Sequence, residues 1–308
     1  MVRMMTWRES LLLIFVTFVW GLNFVVIKLG LSDLPPLLFL ALRFFVCALP
    51  VFFGVRRPAI SLGQILLLGS VFGIGVFGCL FLGIYFGLPA GIAAVAMQSQ
   101  VFFTIMIAVT FLAEPVSRTA WVAIACGFFG MVLLLVDGLQ ASTALGMVCI
   151  LAGAVCWGVF NNLLKMHKDI PMFDILTWIS LVPVVPFLLA SCLFENPVAA
   201  LTTHISTNSV FSILYTSIIS TLFAYYIWGS LIQKRGSIYI APFALLIPVF
   251  GVVLSYIVFG EKIDNTELLG IIFIVCGLII MNIGNVLHAN VNLKSAEHVR
   301  NTMRGFRK

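Results

Sequence analysis

The sequence predicts an all-α membrane protein whose ten transmembrane helices form two inverted five-helix repeats. Composition, a series of long apolar runs and an internal repeat lead to this prediction. Of the 308 residues, 62% are apolar and 9% are charged, whereas about 25% of a soluble domain is charged. So few charges argue against a soluble enzyme, a disordered chain and a nucleic-acid binder. Ten helices of about 20 residues use most of the chain and leave no room for a separate globular domain.

Long apolar runs between charged and turn-forming residues place the ten helices. Short links such as Ser32-Asp33 make neighbouring helices antiparallel. The first run is too long for the apolar region of a signal peptide, so we expect it to remain as a helix. The predicted spans are 10–31, 34–55, 62–86, 89–112, 119–137, 143–165, 171–194, 208–233, 237–259 and 266–287.

Lys and Arg residues predict the orientation of these spans. Fourteen of the 17 lie on the same side as the amino terminus, and only Lys262 lies in a link on the other side. Because positive residues favour the cytoplasmic side, both termini are predicted to be cytoplasmic, in a bacterial inner membrane. We expect the basic tail, 288–308, to contact anionic lipid and not nucleic acid.

The second half of the chain repeats features of the first. The offset grows by ten residues, which fits the extra polar stretch 195–208. The predicted units are 8–138 and 143–287, and because each holds five helices they cross the membrane in opposite directions. Inverted repeats are typical of transporters. The recurring residues are Trp20 and Trp157, and Lys28 and Lys165, at an offset of 137, and Glu114 and Glu261 at an offset of 147.

Several stretches resemble the EamA-type members of the drug/metabolite transporter superfamily. They are the run from Trp20 to Lys28, the prolines and Leu-Arg-Phe of 35–44, the stretch 89–104, and the acids Glu114 and Glu261. The resemblance covers 8–287 and implies this family's ten-helix fold. It also implies export of small metabolites such as cysteine, O-acetylserine, threonine, homoserine or aromatic amino acids, although the superfamily also exports toxic compounds. The second repeat departs from the first, because Ser180 stands where a counterpart of Arg43 would be.

Arg43 is the most informative polar residue, because it lies near the middle of a predicted span, where charge is costly. Counting from the link at Asp33 puts Asn23 at the same depth, provided that the first two helices touch. A guanidinium matches a carboxylate bidentately, so Arg43 is a candidate for substrate binding. The alternative is a structural clasp on carbonyl groups and Asn23.

Aromatic and amide side chains on the other spans complete the candidate site. Gln98 and Gln100 are about 200° apart on a helix, so they cannot both line one cavity, and we choose Gln98. Packing between helices is the alternative for each candidate, and Lys28 could instead extend to the membrane interface. The predicted substrate-binding residues are Trp20, Asn23, Lys28, Arg43, Gln98, Trp157, Asn161, Trp178 and Tyr225. Prolines in spans seven and nine predict kinks that would also make Tyr226 and Trp228 wall residues.

The remaining polar residues predict structural roles. Glu114 and Glu261 stand at membrane boundaries, where we expect them to fix loops or helix ends, and the Gly-x-x-x-Gly spacing of Gly69 and Gly73 predicts close helix packing. The seven cysteines lie in apolar runs and indicate packing, not disulfides or a metal site.

The sequence also lacks the groups that other mechanisms need. No acid and no His lies in mid-span, and no nucleotide or zinc motif is present. We therefore predict no enzyme activity, no cofactor and no metal. The predicted function is export of a small metabolite by alternating access, either facilitative or proton-coupled. Drug efflux and a membrane-embedded lipid enzyme are the alternatives, and the oligomeric state is left open.

Overall fold

The protein is all-α, as predicted. The computed structural model describes residues 6–112, 118–137, 141–165, 167, 170–203, 205–235, 243–244, 246–261, 263–266, 268–277 and 279–280, and this part of the chain contains helices and no strand. The helices are α1 (Trp7–Leu31), α2 (Pro36–Phe52), α3 (Leu62–Tyr85), α4 (Ala90–Met97), α5 (Gln100–Leu112), α6 (Arg118–Asp137), α7 (Ala141–Lys165), α8 (Met172–Ile179), α9 (Leu181–Phe194), α10 (Pro197–Thr203), α11 (Thr207–Leu214, continued by Tyr215–Phe223 and Ala224–Arg235), α12 (Leu246–Phe259) and α13 (Leu268–Gly277).

Each predicted span contains one apolar helical stretch. Within the described residues, five are long and apolar enough to cross a membrane, and five shorter apolar helices occupy the other spans. Two spans differ from the prediction of one continuous helix. Span four breaks at Gln98 and Ser99, between α4 and α5, and span seven breaks at Ser180, between α8 and α9. The short helix α10, inside the polar stretch 195–208, has no counterpart in the prediction.

Side-chain caps and prolines fix where several helices begin. Thr6 forms a capping box with Glu9 at the start of α1, and Ser206 forms one with Ser209 at the start of α11. These contacts satisfy backbone N–H groups that have no partner inside the helix. Pro36 occupies the first turn of α2, where its missing N–H costs nothing.

Helices that are distant in sequence pack most closely. Helix α1 packs chiefly against α12, α2 against α9, and α5 against α7. The predicted close packing at Gly69 and Gly73 is confirmed: a Cβ atom would lie 2.5 Å from Cβ of Val182 at the first and 2.4 Å from Cγ of Pro183 at the second. Because these glycines have no side chain, the backbone of α3 can lie directly against the side chains of Val182 and Pro183 on α9.

Irregular backbone recurs at similar points in the two halves. Helix α3 is π-helical over Ser70–Gly78 and α11 over Tyr215–Phe223, 145 residues further on. The break between α4 and α5 also has a counterpart in the second half of the chain: in span nine, a 3₁₀ turn at 243–244 precedes α12. Pro242, predicted to kink that span, lies outside the described residues. π-Helical segments often occur at functional sites, and each of these segments contributes one residue to the cavity described below.

Candidate functional site

Helices from both halves of the chain line a cavity of about 30 Å³. Its walls come from α1, α3, the end of α4, α7, α11 and α12. This volume holds only one or two water molecules. The lining residues are Trp20, Asn23, Phe24, Phe77, Leu80, Gln98, Trp157, Ser220, Tyr225 and Ile247.

The irregular backbone positions three of the lining residues. Gln98 directly follows α4, where the chain breaks before α5, and its side chain is buried. Phe77 and Ser220 belong to the π-helical segments of α3 and α11. The Ser220 carbonyl accepts a hydrogen bond of 3.0 Å from Nε1 of Trp20, which fixes the indole against α11.

Aromatic rings form much of the wall. The Trp20 ring lies 4.8 Å from the ring of Tyr225 and 5.1 Å from that of Trp228. Trp228 therefore stands behind Trp20, not in the lining. Tyr226, predicted as a wall residue, is 54% exposed, so this prediction is wrong: consecutive residues on a helix face directions about 100° apart.

Two polar atoms of the lining residues are buried without a hydrogen-bond partner. They are Oδ1 of Asn23 and Oη of Tyr225. A buried polar atom left unpaired costs about 1–3 kcal/mol. The cavity therefore has aromatic walls with a few unused hydrogen-bonding groups, which is the usual composition of a site for a small polar ligand.

Arg43 lies beside the cavity, not in its lining. Its side chain is 0% exposed, and Nη2 donates a hydrogen bond of 2.8 Å to Oγ1 of Thr221. The guanidinium carbon lies 3.7 Å from the centre of the Phe77 ring. Because Phe77 also lines the cavity, its ring contacts both the cavity and the cation.

Asn161 and Trp178 form hydrogen bonds between helices away from the cavity. Nδ2 of Asn161 donates to Oε1 of Gln100 at 2.8 Å and to Oγ1 of Thr104 at 3.1 Å, which joins α7 to α5. Nε1 of Trp178 donates to the carbonyl of Val55 at 3.3 Å, which joins α8 to the chain after α2. Gln98 and Gln100 thus face different surroundings, as their spacing predicted.

Lys28 belongs to a polar cluster at the far end of α1. Its ammonium forms an ion pair with Glu261 and lies 4.4 Å from the centre of the Phe259 ring. Glu261 also accepts hydrogen bonds from Ser255 and from the first backbone N–H groups of α4, at Ala90 (3.3 Å) and Gly91 (3.4 Å). The predicted role of Glu261 in fixing a helix end is confirmed, while Glu114 lies outside the described residues.

Glu261 stands two residues beyond the end of α12, and its surroundings favour the charged form. Burial raises the pKa of this carboxyl group, but the hydrogen bonds from Lys28, Ser255 and the Gly91 backbone lower it by more. The pKa therefore lies below its ordinary value.

Comparison with known proteins shows the family of this chain. Two curated proteins named "Probable amino-acid metabolite efflux pump" match over 284 residues, 90% of this chain and 95% of theirs. The one from Escherichia coli (strain K12) is 34% identical and the one from Salmonella typhimurium is 35% identical. The sequence model of the EamA-like transporter family matches 7–136 and again 144–283. This chain belongs to the EamA-like transporter family.

As a member of this family the chain is a multi-pass membrane transporter and not an enzyme. A solved crystal structure shares the fold, with a TM-score of 0.61 and 16% identity over 89% of this chain and 96% of that chain. The cavity lies between the two segments that the family model matches. The first segment provides six of its residues, and the second provides Trp157, Ser220, Tyr225 and Ile247.

Five lining residues are absent from the predicted set: Phe24, Phe77, Leu80, Ser220 and Ile247. All of them except Ser220 are apolar residues in apolar spans and carry no signal of their own. Ser220 did carry one, because Ser217, Ser220 and Thr221 follow helical spacing and form a hydroxyl-bearing face in an otherwise apolar span.

Proposed function

We propose that this transporter exports small amino-acid-type metabolites through the central cavity by alternating access. One structural observation carries the proposal: aromatic and amide side chains from both family-matched segments line the same cavity. The names of the relatives from Escherichia coli and Salmonella typhimurium support the substrate class. A site between two such segments can be opened to either side by moving one against the other.

The substrate contacts in this proposal are the predicted residues that line the cavity: Trp20, Asn23, Gln98, Trp157 and Tyr225. Their rings would cover the apolar part of a small zwitterion, while the amides and the Tyr225 hydroxyl would bond to its polar ends. Lys28, Asn161 and Trp178 instead form contacts between segments away from the cavity lining. We propose that these three residues shape the cavity.

The proposal includes the predicted organisation of the chain. Units 8–138 and 143–287 are the inverted repeats, which the two family matches and the recurrence of π-helical segments support. The tail 288–308 lies outside the described residues. Both termini are proposed to be cytoplasmic, in a bacterial inner membrane, because of the distribution of Lys and Arg.

A cavity of about 30 Å³ is far below the 300–1,000 Å³ of typical ligand pockets. Substrate entry must therefore enlarge it. Movement of the two segments relative to each other is a direct way to do so, since every wall helix packs against helices of the other half.

Counterflow in proteoliposomes tests the proposal. Labelled cysteine, O-acetylserine, threonine, homoserine and aromatic amino acids are presented separately, with and without a pH gradient, and a cationic drug serves as the efflux comparison. We expect saturable counterflow of at least one amino acid, and acceleration by the pH gradient would identify proton coupling. If no amino acid shows saturable flux, the substrate proposal is wrong.

A pair of tryptophan variants tests the site. Trp157→Ala removes a cavity wall, whereas Trp121→Ala removes an indole that is 53% exposed on α6. We expect Trp157→Ala to raise the half-saturation concentration about tenfold and Trp121→Ala to leave it unchanged. Equal effects of the two substitutions would place the binding site elsewhere.

A further inference from the structure

Arg43 is a buried cation with an incomplete set of partners. It lies in the middle of α2 and is fully enclosed. Only Nη2 has a hydrogen-bond partner, Thr221, while Nε and Nη1 have none. No carboxylate among the described residues lies within 4.0 Å of these nitrogens. A guanidinium does not give up its charge in proteins, so this site carries a positive charge for which the described part of the chain provides no counter-ion.

The aromatic rings around Arg43 do not replace that counter-ion. The guanidinium carbon lies 3.7 Å from the ring centre of Phe77, 5.2 Å from that of Phe44 and 5.5 Å from that of Phe81. Ring faces attract the cation. They do not accept the in-plane N–H bonds of the guanidinium edge, however, and these are the bonds that a carboxylate or another anion accepts.

A second unused donor stands near the same point. The Tyr225 hydroxyl has no hydrogen-bond partner. The Tyr225 ring lies 6.0 Å from the ring of Phe72, which in turn lies 4.9 Å from the ring of Phe77. Tyr225 and Phe77 both line the cavity. Tyr225 therefore lies in the wall of the cavity, Arg43 lies beside the cavity, and the Phe77 ring contacts both the cavity and the guanidinium.

We propose that Arg43 and Tyr225 form an anion-binding site behind Phe77, opened when this ring moves. The site takes a small monovalent anion, because it offers one full positive charge, two guanidinium nitrogens whose N–H groups have no partner, and one hydroxyl. A carboxylate and a halide share this chemistry. Only the carboxylate source, a transported amino acid, rests on the proposed function. Phe77 lies in the π-helical segment of α3, and a π-to-α change of register there would reorient the ring.

The experiment measures anion binding to the purified full chain in detergent through its thermal unfolding midpoint. Sodium gluconate, whose anion is much bulkier than acetate or chloride, is replaced stepwise by sodium acetate or by sodium chloride at constant ionic strength. A ligand that binds the native state raises the midpoint saturably. We expect this for at least one of the two anions with the wild-type chain. No saturable rise with either anion would overturn the proposal, whatever the variants do.

Three variants locate the site. Arg43→Gln should weaken binding about 10- to 100-fold, Tyr225→Phe should weaken it several-fold, and Arg57→Gln, at an exposed position, should leave it unchanged. Undiminished binding by Arg43→Gln would overturn the proposal. If Arg43→Gln does not fold, Tyr225→Phe decides: an unchanged anion affinity then counts against the site.

The two anions separate the possible sources. Saturation by acetate alone identifies a carboxylate site, saturation by chloride alone a halide site, and competition between them a shared site; each supports the proposal. Because binding is measured without transport, anion binding by a chain with no counterflow counts against the proposed function only. Counterflow of amino acids without anion binding counts against this site only.

Discussion

Two cations in the same bundle have opposite surroundings. Lys28, 36% exposed, has a carboxylate partner that is itself bonded to a hydroxyl and to backbone N–H groups. Arg43, fully buried, has one hydroxyl partner, three aromatic rings and no counter-ion among the described residues. The cluster at Lys28 is complete, whereas the one at Arg43 is not.

This difference separates a structural joint from a place prepared for a ligand. Burying a charge is unfavourable unless it is paired and hydrogen-bonded. The Lys28 cluster meets that condition by itself and joins α1, α4 and the chain after α12. Arg43 meets this condition only in part, so an anion that enters from the cavity would provide the missing partner. Four predictions test the comparison, from the largest effect to the smallest.

Arg43→Lys should have the largest effect, because it keeps the charge but loses the planar fork of N–H groups. We expect the transport rate at low substrate concentration to fall about 10- to 100-fold, measured by counterflow with protein that elutes as a folded species in gel filtration. Normal transport by the folded Arg43→Lys variant would show that Arg43 does not act as a fork.

Glu261→Ala should destabilise the fold without the same loss of substrate affinity. It leaves Lys28 unpaired and removes the acceptor for two N–H groups at the start of α4. We expect a loss of about 1–2 kcal/mol, seen as a lower unfolding midpoint. If Glu261→Ala instead raises the half-saturation concentration and leaves the unfolding midpoint nearly unchanged, the cluster is part of the binding site.

Lys28→Met should have a smaller effect, because it keeps an apolar stem against Phe259 and leaves the other partners of Glu261 in place. A half-exposed pair contributes little, so we expect a loss below about 1 kcal/mol. Arg8→Met is the matched control, since Arg8 also lies over a ring, that of Trp7 at 5.6 Å, at the other end of α1. If Lys28→Met and Arg8→Met lower the free energy of unfolding equally, the ion pair has no special role in stability.

The pH dependence of stability should show the smallest effect. The pKa of Glu261 is lower in the folded chain than its ordinary value, so the folded state favours the carboxylate. The stabilisation is therefore complete above the ordinary pKa of a Glu, about 4.3, and it is lost as the pH falls through the lower, folded value. Glu261→Gln should lose less stability than wild type in this acidic window, and an identical acid dependence of the two proteins would contradict the assignment.

The sequence predicted which residues are candidates for the site better than it predicted which residues they contact. Counting from Asp33 placed Asn23 beside Arg43 if α1 and α2 touch, but α1 packs chiefly on α12 and α2 on α9. Asn23 lines the cavity, whereas Asn161 donates a hydrogen bond to Gln100 on α5. Nothing in the residue types distinguishes these two amides, because each is an Asn on an apolar helix.

Composition and the lengths of the apolar runs determined the all-α class and the positions of the ten spans, because the requirement to satisfy every backbone group in lipid is local and leaves helices as the solution. The resemblance in 20–28, 35–44 and 89–104 pointed to the family. Only the tertiary structure decided which faces meet, that Phe77 contacts Arg43 and that Glu261 pairs with Lys28. Those outcomes depend on how each helix is rotated about its axis, and that rotation follows from the packing of side chains far apart in the chain.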